Sequence, residues 1–210
     1  MRGESVLAGA VVLALQTELS ARDDERLNQG LSKLDAALQE NGLSVTKYFA
    51  GMFLVSKVSQ VEQYFVEIVR VVSTHYPRKL GSTEFKLSDI LEATRDELVA
   101  RSAEEYITRL TYKRPSEYLG QLAEFLSIDE RAIKDTWSPF VEIKARRDLG
   151  IHNRWIVNET YLRKLGDAKV TCGLKVGDLI CPDIDQLMTI FGHCNDLVNG
   201  ISAELERAYG

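Results

Sequence analysis

The stretch from Lys47 to Tyr76 constrains the fold more than any other part of the chain. It contains no proline, and its apolar residues return every three or four positions, at Phe49, Phe53, Val55, Val58, Val61, Phe65, Ile68, Val69 and Val72. That spacing places them on one face of a helix with 3.6 residues per turn. Pro77 ends it, because a proline disfavours helical backbone in the residue before it. A helix this long and this apolar on one side must be covered by other elements, so it is expected to be the central core helix.

The rest of the chain supplies helices to cover it. Residues 4–20 and 24–40 read as a helical hairpin within residues 1–44, parted by the polar Ser20-Ala21-Arg22-Asp23-Asp24 and stopped by Asn41-Gly42. The apolar run Val6 to Leu15 has the outline of a secretory leader. Glu4 and the absence of a small-x-small cleavage pattern favour a buried first helix instead, and ten residues are too few to cross a bilayer. Further on, Ser88 is a candidate cap for a helix to Leu110, interrupted near Ser102, and Ser116 for one to Leu126. Ser138-Pro139 suggests a helix over 139–151, Asn158 a short one to Leu165-Gly166, and Pro182 a last one to Ala208. Only Leu174–Ile180 reads as extended. The expected fold is all-α, a helical bundle of residues 45–210 preceded by the hairpin.

Composition narrows the function. The 210 residues carry a net charge of −5, so the molecule as a whole does not attract polyanions, and a broad basic coat for nucleic acid is excluded. Cys172, Cys181 and Cys194 are odd in number and form no CxxC pair, which fits a reducing, cytoplasmic setting, and their spacing with His193 matches no zinc pattern. No metal or cofactor is expected, and no phosphate-binding glycine loop or nucleophile motif occurs.

One segment departs from the acidic background. From Lys144 to Lys164, six basic residues stand against two acidic ones, giving +4 and leaving −9 for the remainder. A phosphate-bearing ligand would be steered there and repelled elsewhere. The segment holds His152, whose imidazole titrates near neutrality. His75 and His193 read as structural, at a helix end and in an apolar stretch. On a continuous helix Asp148 and His152 share a face, whereas Arg147 and His152 lie about 140° apart. Either the helix breaks at Gly150, or Arg147 of one copy meets His152 of another. Glu142, four residues before Arg146, can occupy that guanidinium and leave Arg147 for a ligand. The Asp148 and His152 pair could equally be a buried couple that fixes helix packing.

The run Arg147-Asp148-Leu149-Gly150-Ile151-His152 resembles the R-x4-6-H signature of the HEPN family. Asn153 follows the histidine, and Val157-Asn158-Glu159-Thr160-Tyr161-Leu162-Arg163-Lys164 is similar to the run that follows in that family. Ser59 to Phe65 resembles its first core helix. Arg70-x4-His75 has the same spacing without that context. Asp148 stands where asparagine is commoner. The resemblance implies a homodimer with a composite cleft and a metal-independent endoribonuclease acting through the RNA 2′-hydroxyl. On that reading His152 is the general acid or base, Arg147 stabilises charge on the phosphorane, Asp148 orients the imidazole and Asn153 donates a further hydrogen bond. Lys144, Arg146 and Arg154 would guide the RNA backbone, while Trp155 and Tyr161 are expected in the core. Toxin or defence effectors of this kind often act beside a neutralising antitoxin or regulatory protein. The alternative is a catalytically silent HEPN module that binds RNA or a protein partner, and a third reading is a helical scaffold with no ligand at the basic segment.

Overall fold

The computed structural model describes residues 25–40, 42–167, 170 and 173–210. The expected first helix at 4–20, with its apolar run, and Cys172 lie outside the described residues. Those described form an all-α bundle of eight α-helices and one 3-10 turn: α1 (Glu25–Gln39), α2 (Val45–His75), the 3-10 turn (Pro77–Leu80), α3 (Leu87–Glu92), α4 (Arg95–Thr111), α5 (Pro115–Leu126), α6 (Glu130–Asn153), α7 (Glu159–Asp167) and α8 (Ile184–Tyr209). Among the described residues no helix is long and apolar enough to cross a membrane.

The long helix α2 starts at Ser44, whose side chain accepts from the Lys47 N–H, and ends at Tyr76 before Pro77. Its stripe Leu54, Val58, Val61 and Phe65 is buried against Phe140 and Ile143 of α6 and Leu197 and Ile201 of α8. The Phe65 and Phe140 rings meet edge-on, 5.7 Å apart. α2, α6 and α8 pack on one another, with α4 and α5 completing the core.

Several boundaries differ from the sequence expectation. Ser88 and Ser116 do not cap helices: each lies in the first turn, of α3 and α5, whose N-cap positions are Lys86 and Arg114 with no side-chain cap hydrogen bond. The interruption expected near Ser102 falls instead at Thr94, where a capping box with Glu97 starts α4, and Ser102 is buried inside that helix with its hydroxyl on the Leu98 carbonyl. Ser138-Pro139 does not start a helix. α6 begins at Glu130, capped by Asp129, and runs through Pro139. The apolar stripe Ile133, Trp137, Phe140 and Val141 continues across the proline, and burying it offsets the lost backbone hydrogen bond. The segment 174–180 is extended only in part, pairing with the chain just after α6 through one antiparallel bridge, Ile156 to Leu179.

A second, smaller core joins Ala145 and Leu149 of α6 to Val157 and to Tyr161 and Leu165 of α7. It holds α7 against the last turns of α6. Arg154 and Trp155 then reverse the chain in the left-handed region, at φ 52° and 66°. Trp155 is buried in a slot between α2 and α6 that only glycine leaves open: a Cβ on Gly51 would come within 2.6 Å of its ring, and one on Gly150 within 2.4 Å. Trp155 and Tyr161 are thus core residues, as expected.

Candidate functional site

The basic segment forms the C-terminal half of α6, the reversal after it and helix α7. Helix α6 is unbroken through Gly150 and Asn153, so the option of a break at Gly150 falls away. Arg147 and His152 therefore leave the helix about 140° apart and on different sides.

His152 is exposed and lines an open cleft of about 380 Å³ between α6 and α7. Asp148, Asn153, Asn158 and Lys164 line the same cleft, while Arg147 does not. The expected pairing of Asp148 with His152 is absent. Asp148 instead binds Lys164 Nζ at 2.7 Å and lies 3.3 Å from Arg147 Nε, two cations that between them engage both carboxylate oxygens. His152 is left open to the cleft. Asn153 donates from Nδ2 to the Ile156 carbonyl at 2.6 Å and so braces the chain reversal.

Arg147 is not left free. Its Nη2 donates to Glu62 Oε2 of α2 at 2.6 Å, and its side chain is only 15% exposed. Glu62 also accepts from Lys144. The five charges Lys144, Glu62, Arg147, Asp148 and Lys164 thus form one chain that ties α2, α6 and α7 together. Within it, burial and then the like charges of Arg147 and Lys164 push the Lys144 ammonium down to about 8, partly opposed by Asp148. Arg147 Nε is buried and forms no hydrogen bond.

Arg146 takes the partner the sequence offered. It binds Glu142 at 2.8 Å, and Tyr161 adds its hydroxyl to the same carboxylate at 2.6 Å. Arg154 is exposed at the α6 terminus. Of the seven residues singled out from sequence, the structure brings His152, Asp148 and Asn153 to one cleft. Lys144 and Arg147 lie on the α2 side of the helix, Arg146 is held against α7, and Arg154 is on the reversal.

Sequence reasoning missed Glu62. Its position directly after the buried Val61, at the edge of the α2 core stripe, is one where a carboxylate needs a cationic partner. Only the charge of Lys164 is legible in the sequence; the structure shows that it reaches Asp148 across the cleft. His75 Nδ1 binds the Val71 carbonyl at 2.9 Å at the end of α2, in keeping with a structural role. Among the described residues no cluster of His, Cys, Asp and Glu could hold a metal ion.

No protein-family model, no curated protein and no solved structure matches this chain.

Proposed function

We propose that the chain is a metal-independent endoribonuclease of HEPN type, acting as a homodimer in which His152 of one copy and Arg147 of the other face a single RNA phosphodiester. The observation that carries this reading is the open imidazole. His152 stands exposed, without a hydrogen-bond partner among the described residues, in a cleft lined by Lys164 and Asn158 within the one basic stretch of an acidic protein. A continuous α6 directs Arg147 away from that cleft, so a second copy would have to complete it.

In this scheme His152 takes the proton from the RNA 2′-hydroxyl, whose oxygen attacks the adjacent phosphorus, or returns a proton to the departing 5′-oxygen. Arg147 exchanges its carboxylate partner for the phosphorane oxygens, which its planar donor fork fits. Lys164 adds positive charge at the cleft, and Lys144, Arg146 and Arg154 attract the strand without reading its bases. A neutralising protein partner would act by covering the His152 cleft.

The experiment is RNA cleavage with chelator present, by the wild type, by Arg147→Ala, by His152→Ala, and by an equal mixture of the two variants. Each variant alone should be inactive. The mixture should recover about a quarter of the activity, because half the dimers are mixed and each carries one intact site of two. Unchanged cleavage in both single variants removes the assignment.

One observation favours the silent-module reading: the Arg147 guanidinium is already held by Glu62. That reading expects RNA binding that weakens with salt, and no cleavage products.

A further inference from the structure

A second cavity, of about 270 Å³, shares Ala145 and Lys164 with the His152 cleft. Its floor is aromatic, built from Phe65 of α2, Tyr118 of α5 and Trp137 and Phe140 of α6, with the Tyr118 and Trp137 rings stacked at 5.4 Å and 21°. A dry protein cavity of about 150 Å³ holds one benzene, so this space admits two fused rings. The polar groups around it decide what kind of ring. Each lysine on its wall already has a carboxylate: Lys144 binds Glu62, Lys164 binds Asp148 at 2.7 Å, and Lys113 lies 3.8 Å from Glu117. The Trp137 N–H donates to the Pro115 carbonyl at 3.3 Å, and the Thr111 hydroxyl to the Ile107 carbonyl at 2.8 Å. Among the described side chains of the wall, that leaves the hydroxyls of Tyr112 and Tyr118 without a hydrogen bond. Tyr112 is 86% exposed and open to solvent, whereas Tyr118 is packed against the core.

We propose that this cavity binds an uncharged two-ring heteroaromatic compound, its rings against the aromatic floor and its single acceptor atom on the Tyr118 hydroxyl. The flat floor matches a flat ligand, since aromatic rings prefer offset-stacked or edge-on contacts with one another. A charged ligand finds no uncommitted counter-ion on this wall and loses its hydration on entering. A nucleobase is a poor occupant for a related reason: polar atoms surround its edge, and one hydroxyl satisfies only one of them. A ring system with one acceptor leaves no such group unpaired. The hydroxyl is suited to the donor role, because burial, and then Tyr106, raise the Tyr118 phenol above its ordinary range and it keeps its proton.

The test titrates the full chain, at neutral pH and by calorimetry, with five probes of similar size. Quinoline is uncharged and carries one ring acceptor, and naphthalene has the same shape without it. The anion 2-naphthoate, the cation N-methylquinolinium and the nucleobase adenine complete the set. Quinoline should bind with a dissociation constant of about 1 mM or tighter, an ordinary efficiency for a ligand of about ten heavy atoms. The two ions and adenine should each bind at least about tenfold more weakly than quinoline. Tyr118→Phe removes the hydroxyl and keeps the stacked ring, so the variant folds and the cavity keeps its shape. It should weaken quinoline by about fivefold, the worth of one neutral hydrogen bond, and leave naphthalene unchanged. The proposal is overturned if quinoline does not bind, or if an ion or adenine binds as tightly. It is equally overturned if Tyr118→Phe leaves quinoline unchanged or weakens both uncharged rings alike. It goes beyond the ribonuclease reading and does not rest on it: no probe contains a phosphodiester and the readout is binding, so each can fail while the other stands.

Discussion

Glu62 Oε2 of α2 accepts a hydrogen bond from Arg147 Nη2 of α6 at 2.6 Å, and this contact decides how the basic segment is oriented. It turns one guanidinium inward against the long core helix while leaving His152, five residues on, open to solvent. Helix packing and site geometry therefore share one pair of side chains.

Loss of that carboxylate is the first prediction. Glu62→Ala leaves Arg147 with Asp148 alone and Lys144 without its acceptor. Breaking a fully buried pair costs about 3–5 kcal/mol, and the partial exposure of this one lowers the expectation to about 1–3 kcal/mol. Glu62→Gln keeps an acceptor and should lose less. Urea denaturation of the three proteins measures both, and equal midpoints would show that the contact adds nothing to stability.

Two glycines on helices should respond in opposite directions to alanine. Gly30 in α1 meets nothing within 4 Å of an added Cβ, so Gly30→Ala should stabilise by about 0.5–1 kcal/mol through helix propensity. A Cβ at Gly150 would lie 2.4 Å from the Trp155 ring, which is walled on its far side by Gly51. Overpacking there should outweigh the propensity gain and cost about 1–3 kcal/mol. Thermal melts of the two variants give the signs directly.

A third prediction concerns alkaline pH. In the folded chain Lys144 titrates near 8, against 10.5 when unperturbed, so between those values the unfolded chain holds more protons and stability rises with pH. Cys181 and Cys194 act the other way. Burial pushes both thiols up from 9 to about 11, so the unfolded chain loses those protons first, and their contribution falls as pH rises through that range. Lys144→Met isolates the lysine. Relative to this variant, the wild type should gain melting temperature from pH 7 to pH 9.5. A constant difference across that range contradicts the assignment.

The capping box at α4 gives a fourth. Thr94 accepts from the Glu97 N–H, and Glu97 accepts from the Thr94 N–H at 2.7 Å. Thr94→Ala should cost about 1 kcal/mol in chemical denaturation. The Thr94 N–H and then the Thr94 hydroxyl, both donating to Glu97 Oε2, hold that carboxyl below its ordinary range; the variant loses the hydroxyl bond, so the cost should shrink as pH falls far enough to protonate Glu97.

The all-α class and the long α2 helix were legible because both rest on periodicity and on Pro77, which act locally. Asn158 is likewise readable as a cap, and it binds the Tyr161 N–H at 2.9 Å. Pro139 misled for a physical reason: Ser-Pro is a fair helix start in isolation, and only the burial of Trp137 and Phe140 on the same stripe carries the helix through it. At the candidate site, the pairing of Arg146 with Glu142 is a four-residue spacing and was visible. The partner of Arg147 is 85 positions away, and that of Asp148 is 16, so neither could be read without the packing of α2 and α7.

The reversal at Arg154 and Trp155 has a mechanical consequence for the imidazole three residues before the tryptophan. Left-handed backbone at two successive residues with side chains is strained, and it persists here because the indole is wedged between neighbouring helices. The last turn of α6 is therefore a fixed corner rather than a fraying end, and the backbone that carries His152 is set in place before anything else touches it.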